Sequence, residues 1–556
     1  MYGNFILFFL SYFFILTSIL GYGLLFTSIS EKQKKYNFGY TGLIGVFLLI
    51  LYSYFSNIFF AHSEIHNLLF LTIGFVLFLI ILKKKFQQIK KEFLLTIIVF
   101  LILFFSSLIF KNHDDFPYYH FPYTLYLTQQ SLFIGIGQFN HGFRTPSSIF
   151  YLNSLFYLPL VKYYLFNFSA IYILGFANIF FLKKIHNFFI SYNLKKNLNK
   201  NINYLTFLNL FLFVFVNIFF YRIGEHGTDR SAQILIFILV VLILEYFYFL
   251  NSEKIDLMFI YILLGLIISL KAFYILYLII LLPLFFFILE KKKKIILALI
   301  YFIKNKNFII FLLMLFFVIG TYFINTGCLI YPLSFTCFEN FSWALPISET
   351  QRMNNWYELW SKAGANPNFR VSNPEEYISK LNWVSNWIDS YFFNKVSDFI
   401  FGLFFTILIF LISFVKFKTY RNKLNLNKFT YFTFLILVIL LIEWFYNHPA
   451  LRYGGYCIIA LILFIPTSIY LSTFKIEIKK FTNLIFILIL ITTLIFIGRN
   501  IVRIKKEIHI YNYMPIKNTF YKIDSHYFRI QYQMDGILKE KKIKQLFGKK
   551  IFVVNK

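Results

Sequence analysis

The chain has 556 residues, 59% of them hydrophobic and only 14% charged, with a mean hydropathy of +0.68. Soluble domains carry about 25% charged residues, so a soluble globular fold is excluded and the apolar surface must be met by lipid. The net charge of +30 sits mainly in short loops between apolar runs, the pattern of a chain beside an anionic leaflet and not of one that binds nucleic acid.

In chain order, the apolar runs predict spans at 4–29, 40–60, 67–83, 93–110, 163–182, 204–221 and 233–250. Others follow at 256–270, 272–290, 308–325, 399–416, 429–446, 454–473 and 480–498. The first lacks a cationic start and a small-residue cleavage site, so it reads as a span and not as a signal peptide. Each is near the ~20 residues that cross a bilayer, and lipid offers no partners for open strands. The expectation is an all-α, polytopic helical membrane protein with about fourteen transmembrane helices, interfacial helices and one long outer loop.

Five segments, "SEKQKKYN", "KKKFQQIKKE", "KKIHNFFISYNLKKNLNK", "EKKKK" and "KFKTYRNKLNLNK", are rich in Lys and Arg. Counting crossings puts all five on one face, which the positive-inside trend makes cytoplasmic. The opposite face receives "AHSEIHN", "YRIGEHGTDRSAQ", "NHPALRYGGY" and the stretch from Lys111 to Pro146. The segment 147–161 cannot cross without reversing a basic loop, so it reads as a helix lying in the interface or re-entering from it. The expected organisation is a multispan domain over 1–325 carrying the acidic outer loop 111–161. A long outer loop over 326–398 follows, then C-terminal helices over 399–498 and a basic tail over 499–556. Parity places that tail outside, against the charge trend. Cys328 and Cys337 share the long loop, where an oxidising compartment can join them; two unpaired small residues is the alternative.

The chemistry gathers on the outer face. Asp114 and Asp115 follow an outward-going run. A carboxylate at a membrane boundary is costly unless hydrated or paired, so it marks either a helix cap or a general base. His113, Tyr119, His120 and Arg144 stand around these acids as hydrogen-bonders and a cation for phosphate. A divalent metal on His113, Asp114, Asp115 and His120 is chemically allowed, although no ligand spacing supports it. "EHGTDR" supplies Glu225, His226 and Asp229, read either as a solvated turn or as a second polar wall. Lys271 interrupts a run too long for one crossing, which places it at an outer turn. There it and Arg452 either hold a lipid-linked phosphate or reach to water.

With "HDDFPYYH", "TGCLIYPLSF" and "HPALRY" in hand, the chain resembles the GT-C class of membrane glycosyltransferases and related bacterial multispan proteins. The resemblance covers most of the chain as architecture and a few short motifs as sequence. It implies a GT-C-like fold and a catalytic base at Asp114 or Asp115. It also implies a polyprenyl-phosphate sugar as donor, Lys271 and Arg452 near its phosphate, and a glycan or lipid acceptor. The setting would be the outer face of the cytoplasmic membrane, in cell-envelope polysaccharide biosynthesis. About three spans precede the one leading to the motif, where many members have one. Two rival readings stand beside it. One is an O-antigen-type polymerase or ligase leaning on Arg144, Arg352, Arg370 and Arg452; the other is a lipid-linked glycan transporter or flippase, which needs polar groups deep in its spans.

Overall fold

A computed structural model describes residues 3–30, 37–109, 113, 115–194, 201–225, 227–248, 253–304, 306–415, 426–474, 478–512, 514–517, 519, 542–546 and 549–553. Among these, nine helical segments are long and apolar enough to cross a membrane by length and composition, and three shorter apolar helices accompany them. The chain is a polytopic helical membrane protein. Every predicted apolar run coincides with a helix or a closely joined pair of helical segments.

The first three helices are α1 (Gly3–Ser30), α2 (Phe38–Phe59) and α3 (Glu64–Ser107). Lys85, at φ −126° and ψ 23°, breaks α3 in the middle of its basic stretch. The rings of Phe78 and Phe93 then lie 5.4 Å apart, where a straight helix would separate them by about 22 Å. So α3 folds back into two arms, and these are the predicted spans 67–83 and 93–110. Both arms lean on α1. A Cβ on Gly21 would fall 1.8 Å from the Gly74 carbonyl, so only glycine allows the backbones this close. The Ser18 hydroxyl donates to the Leu71 carbonyl (2.7 Å), and that of Tyr12 to the Phe100 carbonyl (3.1 Å).

Next come a π-helical turn (Phe116–His120), α4 (Phe121–Gln129) and α5 (Ser148–Ser154). Of the two arrangements expected for 147–161, a helix re-entering the fold fits and one lying flat at the surface does not. Phe150, Tyr151 and Leu152 are at most 2% exposed, and α5 packs on α2 and α4 inside the protein. The Ser53 hydroxyl holds the Tyr151 carbonyl at 2.7 Å, and His62 Nδ1 meets Ser154 Oγ at 2.7 Å. Irregular backbone at this depth is tolerated because protein encloses it.

The bundle continues with α6 (Phe168–Leu194), α7 (Asn201–Phe219), α8 (Thr228–Tyr246) and α9 (Glu253–Leu270). From Ala232 to Leu244 every residue of α8 is 0% exposed, as expected of a helix apolar all round. It is a central post, and its two ends set the molecule's polarity. Asp229 begins it; Glu245, about 24 Å further along, ion-pairs with Lys184. Glu92 with Lys183, and Glu290 with Lys428, pair other basic loops. The described basic residues Lys183, Lys184 and Lys428 thus lie toward the end opposite Asp229.

After α9 come a 3-10 helix (Ala272–Ile280), α10 (Leu281–Lys292), α11 (Ile295–Ile303) and α12 (Lys306–Thr326). The long loop then folds into α13 (Ile347–Lys362), α14 (Pro374–Ile378) and α15 (Val384–Trp387), stapled at its start by a Cys328–Cys337 disulfide. The remaining helices are α16 (Ser397–Val415), α17 (Lys428–Asn447), α18 (Gly455–Leu471) and α19 (Ile478–Tyr511). The one departure from all-α among the described residues lies in the tail, where β1 (Lys542–Leu546) and β2 (Lys549–Val553) pair antiparallel. One hydrophobic core runs from Phe8 to Phe496, so the C-terminal helices belong to the same packed body as the first nine.

Candidate functional site

The polar residues of the outer face meet around Arg452. Asp229 lies in the first turn of α8, where the helix dipole favours an anion. Gly227, at φ +86°, turns the chain into that helix, and a Cβ there would lie 2.1 Å from the Ala170 Cβ. Lys271, at φ −159° and ψ 128°, ends α9 in extended backbone, which is the predicted outer turn. Its ammonium reaches Asp229 Oδ1 at 2.6 Å, and Arg452 Nε reaches Oδ2 at 2.9 Å. One turn along α8, Gln233 accepts from the Cys457 backbone N–H at 3.1 Å and donates to the Arg452 carbonyl at 2.9 Å. The start of the central post therefore grips both the side chain and the backbone of the Arg452 turn.

Asp115 approaches the same guanidinium from the acidic loop. Its Oδ2 lies 3.7 Å from Arg452, 3.5 Å from His113 Nδ1, and 3.3 Å from the Tyr119 hydroxyl that donates to it. The Asp115–Tyr119 contact follows from their spacing, since residues four apart share a helix face. The two carboxylates differ in setting. The side chain of Asp229 is 7% exposed and that of Asp115 29%, so one is enclosed between two cations while the other stays accessible from outside.

The charges follow from these contacts. Burial pushes the Asp229 carboxyl up, but Lys271 and Arg452 overcome it and hold the group down to about 2. Burial pulls Arg452 down, yet Asp229 and Tyr453 keep it well above the usual guanidinium range. Burial, with Asp115 beside it, holds the Tyr119 hydroxyl well above its usual range. Burial likewise keeps His120 well below the ordinary imidazole value, against Phe150 at 4.8 Å. His120 is thus a packed, neutral ring.

Aromatic faces roof the cluster. Arg452 lies 5.4 Å from the centre of the Trp360 ring and 5.6 Å from that of Tyr453, and Lys271 lies 4.9 Å from Tyr453. His141 sits between Tyr119 (6.3 Å) and Trp356 (6.1 Å). Trp356 and Trp360 both come from α13, so the long loop folds over the acids. Rings beside hydrogen-bonders are the surface that a sugar ring fits.

The structure thus brings His113, Asp115, Tyr119, Asp229, Lys271 and Arg452 together. Glu225 stands beside them: its carbonyl receives the His113 N–H at 3.1 Å, while its carboxylate pairs with Arg222 at 2.7 Å and with Arg503. Asp114 and His226 lie outside the described residues. Arg144 stands apart from this cluster, engaged by Tyr331 (2.7 Å), the Gly137 carbonyl (3.2 Å) and Glu349 (3.0 Å) as a clamp on the long loop. Arg352 shares Glu349, and Arg370 donates to carbonyls of its own turn. Among the described residues no three His, Cys, Asp or Glu side chains converge as a metal set.

Sequence reasoning passed over Trp360, Tyr453 and Arg503. Tyr453 adjoins Arg452, which the sequence singles out, and Trp360 closes the tryptophan-bearing stretch "NWYELW" of the long loop, so each carried a local signal. Arg503 had none, because its partner lies far back along the chain.

Residues 5–459 match the family model described as "Domain of unknown function (DUF8201)". The chain belongs to this family. No curated protein and no solved structure gives a match. The family match spans every residue of the Asp115–Arg452 cluster and stops before α19, so Arg503 lies beyond it.

Proposed function

We propose that the chain is a membrane glycosyltransferase that moves a sugar from a polyprenyl-phosphate donor to a lipid-linked or surface-glycan acceptor. The site would lie on the outer face of a bacterial cytoplasmic membrane, and the GT-C resemblance supports this reading. The observation that carries it is the sharing of Arg452 by two unlike carboxylates, one enclosed and one accessible. Asp229 anchors Lys271 and Arg452; Asp115 is the base.

The charges suit such a transfer. Lys271 and Arg452 are matched by Asp229 and Asp115, so the resting cluster is close to neutral. An acceptor hydroxyl gives its proton to Asp115 as its oxygen bonds to the anomeric carbon. The bond from that carbon to the phosphate oxygen breaks, and the electron pair leaves with the phosphate. Neutralising Asp115 removes one of the two negative charges on Arg452, leaving net positive charge where the leaving phosphate gains negative charge. Preformed charge aimed at charge that develops is the strongest catalytic device for such a step, and Trp360, Tyr453 and His141 offer faces to orient the ring.

The test is a surface-glycan and lipid-linked-sugar profile of cells whose only copy carries Asp115→Asn. The expected result is normal membrane abundance, loss of one glycan and accumulation of a lipid-linked sugar. An unchanged profile at normal abundance overturns the assignment. Of the four arginines the polymerase reading leans on, Arg144 clamps the long loop and Arg352 and Arg370 lie within it, and only Arg452 joins the acid cluster, where it is matched by carboxylates.

A further inference from the structure

A cavity lies at the basic end, far from the Asp115–Arg452 cluster. It has a volume of about 500 Å³ and is walled by the second arm of α3 with α6, α7 and α19, a size typical of small-molecule sites. Along α3 its lining runs from Lys91 to Leu103, about 18 Å, or a little over half the ~30 Å hydrocarbon thickness. The cavity is therefore a shaft one leaflet deep.

Its two ends differ. The end nearer the acid cluster is closed by Leu103, Asn217 and Phe496, all at most 5% exposed. Asn178 and Asn217 join their amides reciprocally there, at 3.0 and 2.8 Å, so neither needs a ligand. The other end carries Lys91, Glu92, Lys183 and His186, with Lys91 and His186 exposed. Lys183 pairs with Glu92, which leaves Lys91 as the cation at this mouth and His186 as a hydrogen-bonding ring beside it. The second carboxylate oxygen of Glu92 is buried and has no hydrogen-bond partner among the described residues. An unmatched buried acceptor is costly, so a ligand that donates a hydrogen bond there is favoured.

We propose that this shaft holds one anionic glycerophospholipid of the cytoplasmic leaflet. One acyl chain fills the apolar length. The phosphate meets Lys91 and His186, and a headgroup hydroxyl donates to Glu92. The orientation follows from the charged groups, which lie only at the basic mouth, while the side of the cavity at Ile98 and Phe486 opens to apolar surroundings. The site is independent of the transfer reaction proposed above.

The experiment is native mass spectrometry of the full-length protein in detergent, offered palmitoyl-oleoyl phosphatidylglycerol or the phosphatidylcholine with the same chains. The glycerol headgroup has free hydroxyls and a net negative charge; choline has neither. Wild type should retain one phosphatidylglycerol per chain at least about tenfold better than phosphatidylcholine. Leu95→Trp, which fills the shaft, should lose retention of both. Lys91→Glu, on an exposed side chain that packing does not need, should fold and lose the preference between headgroups. Equal retention of the two lipids by wild type overturns the proposal, as does a Lys91→Glu protein that keeps the wild-type preference.

Discussion

Asp229→Asn keeps the shape of the side chain and removes its charge, leaving Lys271 and Arg452 facing each other without the anion between them. Deleting one partner of a buried ion pair costs about 3–5 kcal/mol. Here the side chains of the two cations retain 28% and 26% exposure, so water takes up part of the loss and the expected cost is about 2–3 kcal/mol. A second route gives a similar figure. The Asp229 carboxyl, held at about 2 against an ordinary 3.8, contributes on the order of 2 kcal/mol at neutral pH. A depressed acid stabilises above its unfolded value and loses that contribution as pH falls through the folded one. Thermal unfolding of purified wild type and Asp229→Asn should therefore differ at pH 7, and the gap should close between pH 4 and pH 2. Adding Arg452→Gln to Asp229→Asn should cost less than the sum of the single changes by about 1–3 kcal/mol, since the two groups touch. Equal stability of Asp229→Asn and wild type at pH 7 would refute the anchoring role.

Three further outcomes follow from the same contacts. His62, fully buried between Ser56 (2.9 Å) and Ser154 (2.7 Å) in the loop before α3, is kept neutral by burial, with His66 adding to the effect, down to about 3. The unfolded chain takes up a proton near pH 6.5 while the folded one does not, so stability should fall from pH 6.5 toward pH 3. His62→Gln should flatten that part of a denaturation-versus-pH curve. Gly227→Ala must adopt φ +86° and meet Ala170, and should lower the unfolding midpoint by the equivalent of about 2 kcal/mol or more, whereas Gly498→Ala, which meets open space, should not. Arg144→Ala unties Tyr331 and Glu349, and should speed proteolysis of the long loop several-fold while leaving the helical bundle protected.

The parts of this fold that the sequence discloses are those set by local composition. Each apolar run became a helix because lipid leaves no other way to satisfy its backbone, and Lys271 marked a break because a lysine inside a single crossing is costly. Basic loops and acidic motifs separated to opposite ends for the same reason of charge. Long-range packing was hidden. The apolar residues of α5 left open whether the segment lies at the surface or turns back into the fold, because a partner such as Ser53 is 98 residues from Tyr151. The clamp from Arg144 to Glu349 was invisible because the two are 205 residues apart. Arg499 donates to the Ile218 carbonyl across 281 residues, and this contact sets the start of the basic tail at the end of the bundle that holds Glu225. The roof of Trp356 and Trp360 was visible only as tryptophans in a loop, since nothing local says which acids a loop will cover.

The central claim is that Asp115 removes the acceptor proton while Asp229 holds the cations. Its most direct test is the transfer step in membrane vesicles. The lipid-linked sugar pool is labelled, and its passage into the acceptor fraction is followed for wild type and Asp115→Asn at equal protein. The account predicts that Asp115→Asn inserts and unfolds like wild type but slows transfer by at least about a hundredfold, the size of a general-base contribution. Transfer by Asp115→Asn at the wild-type rate would contradict it.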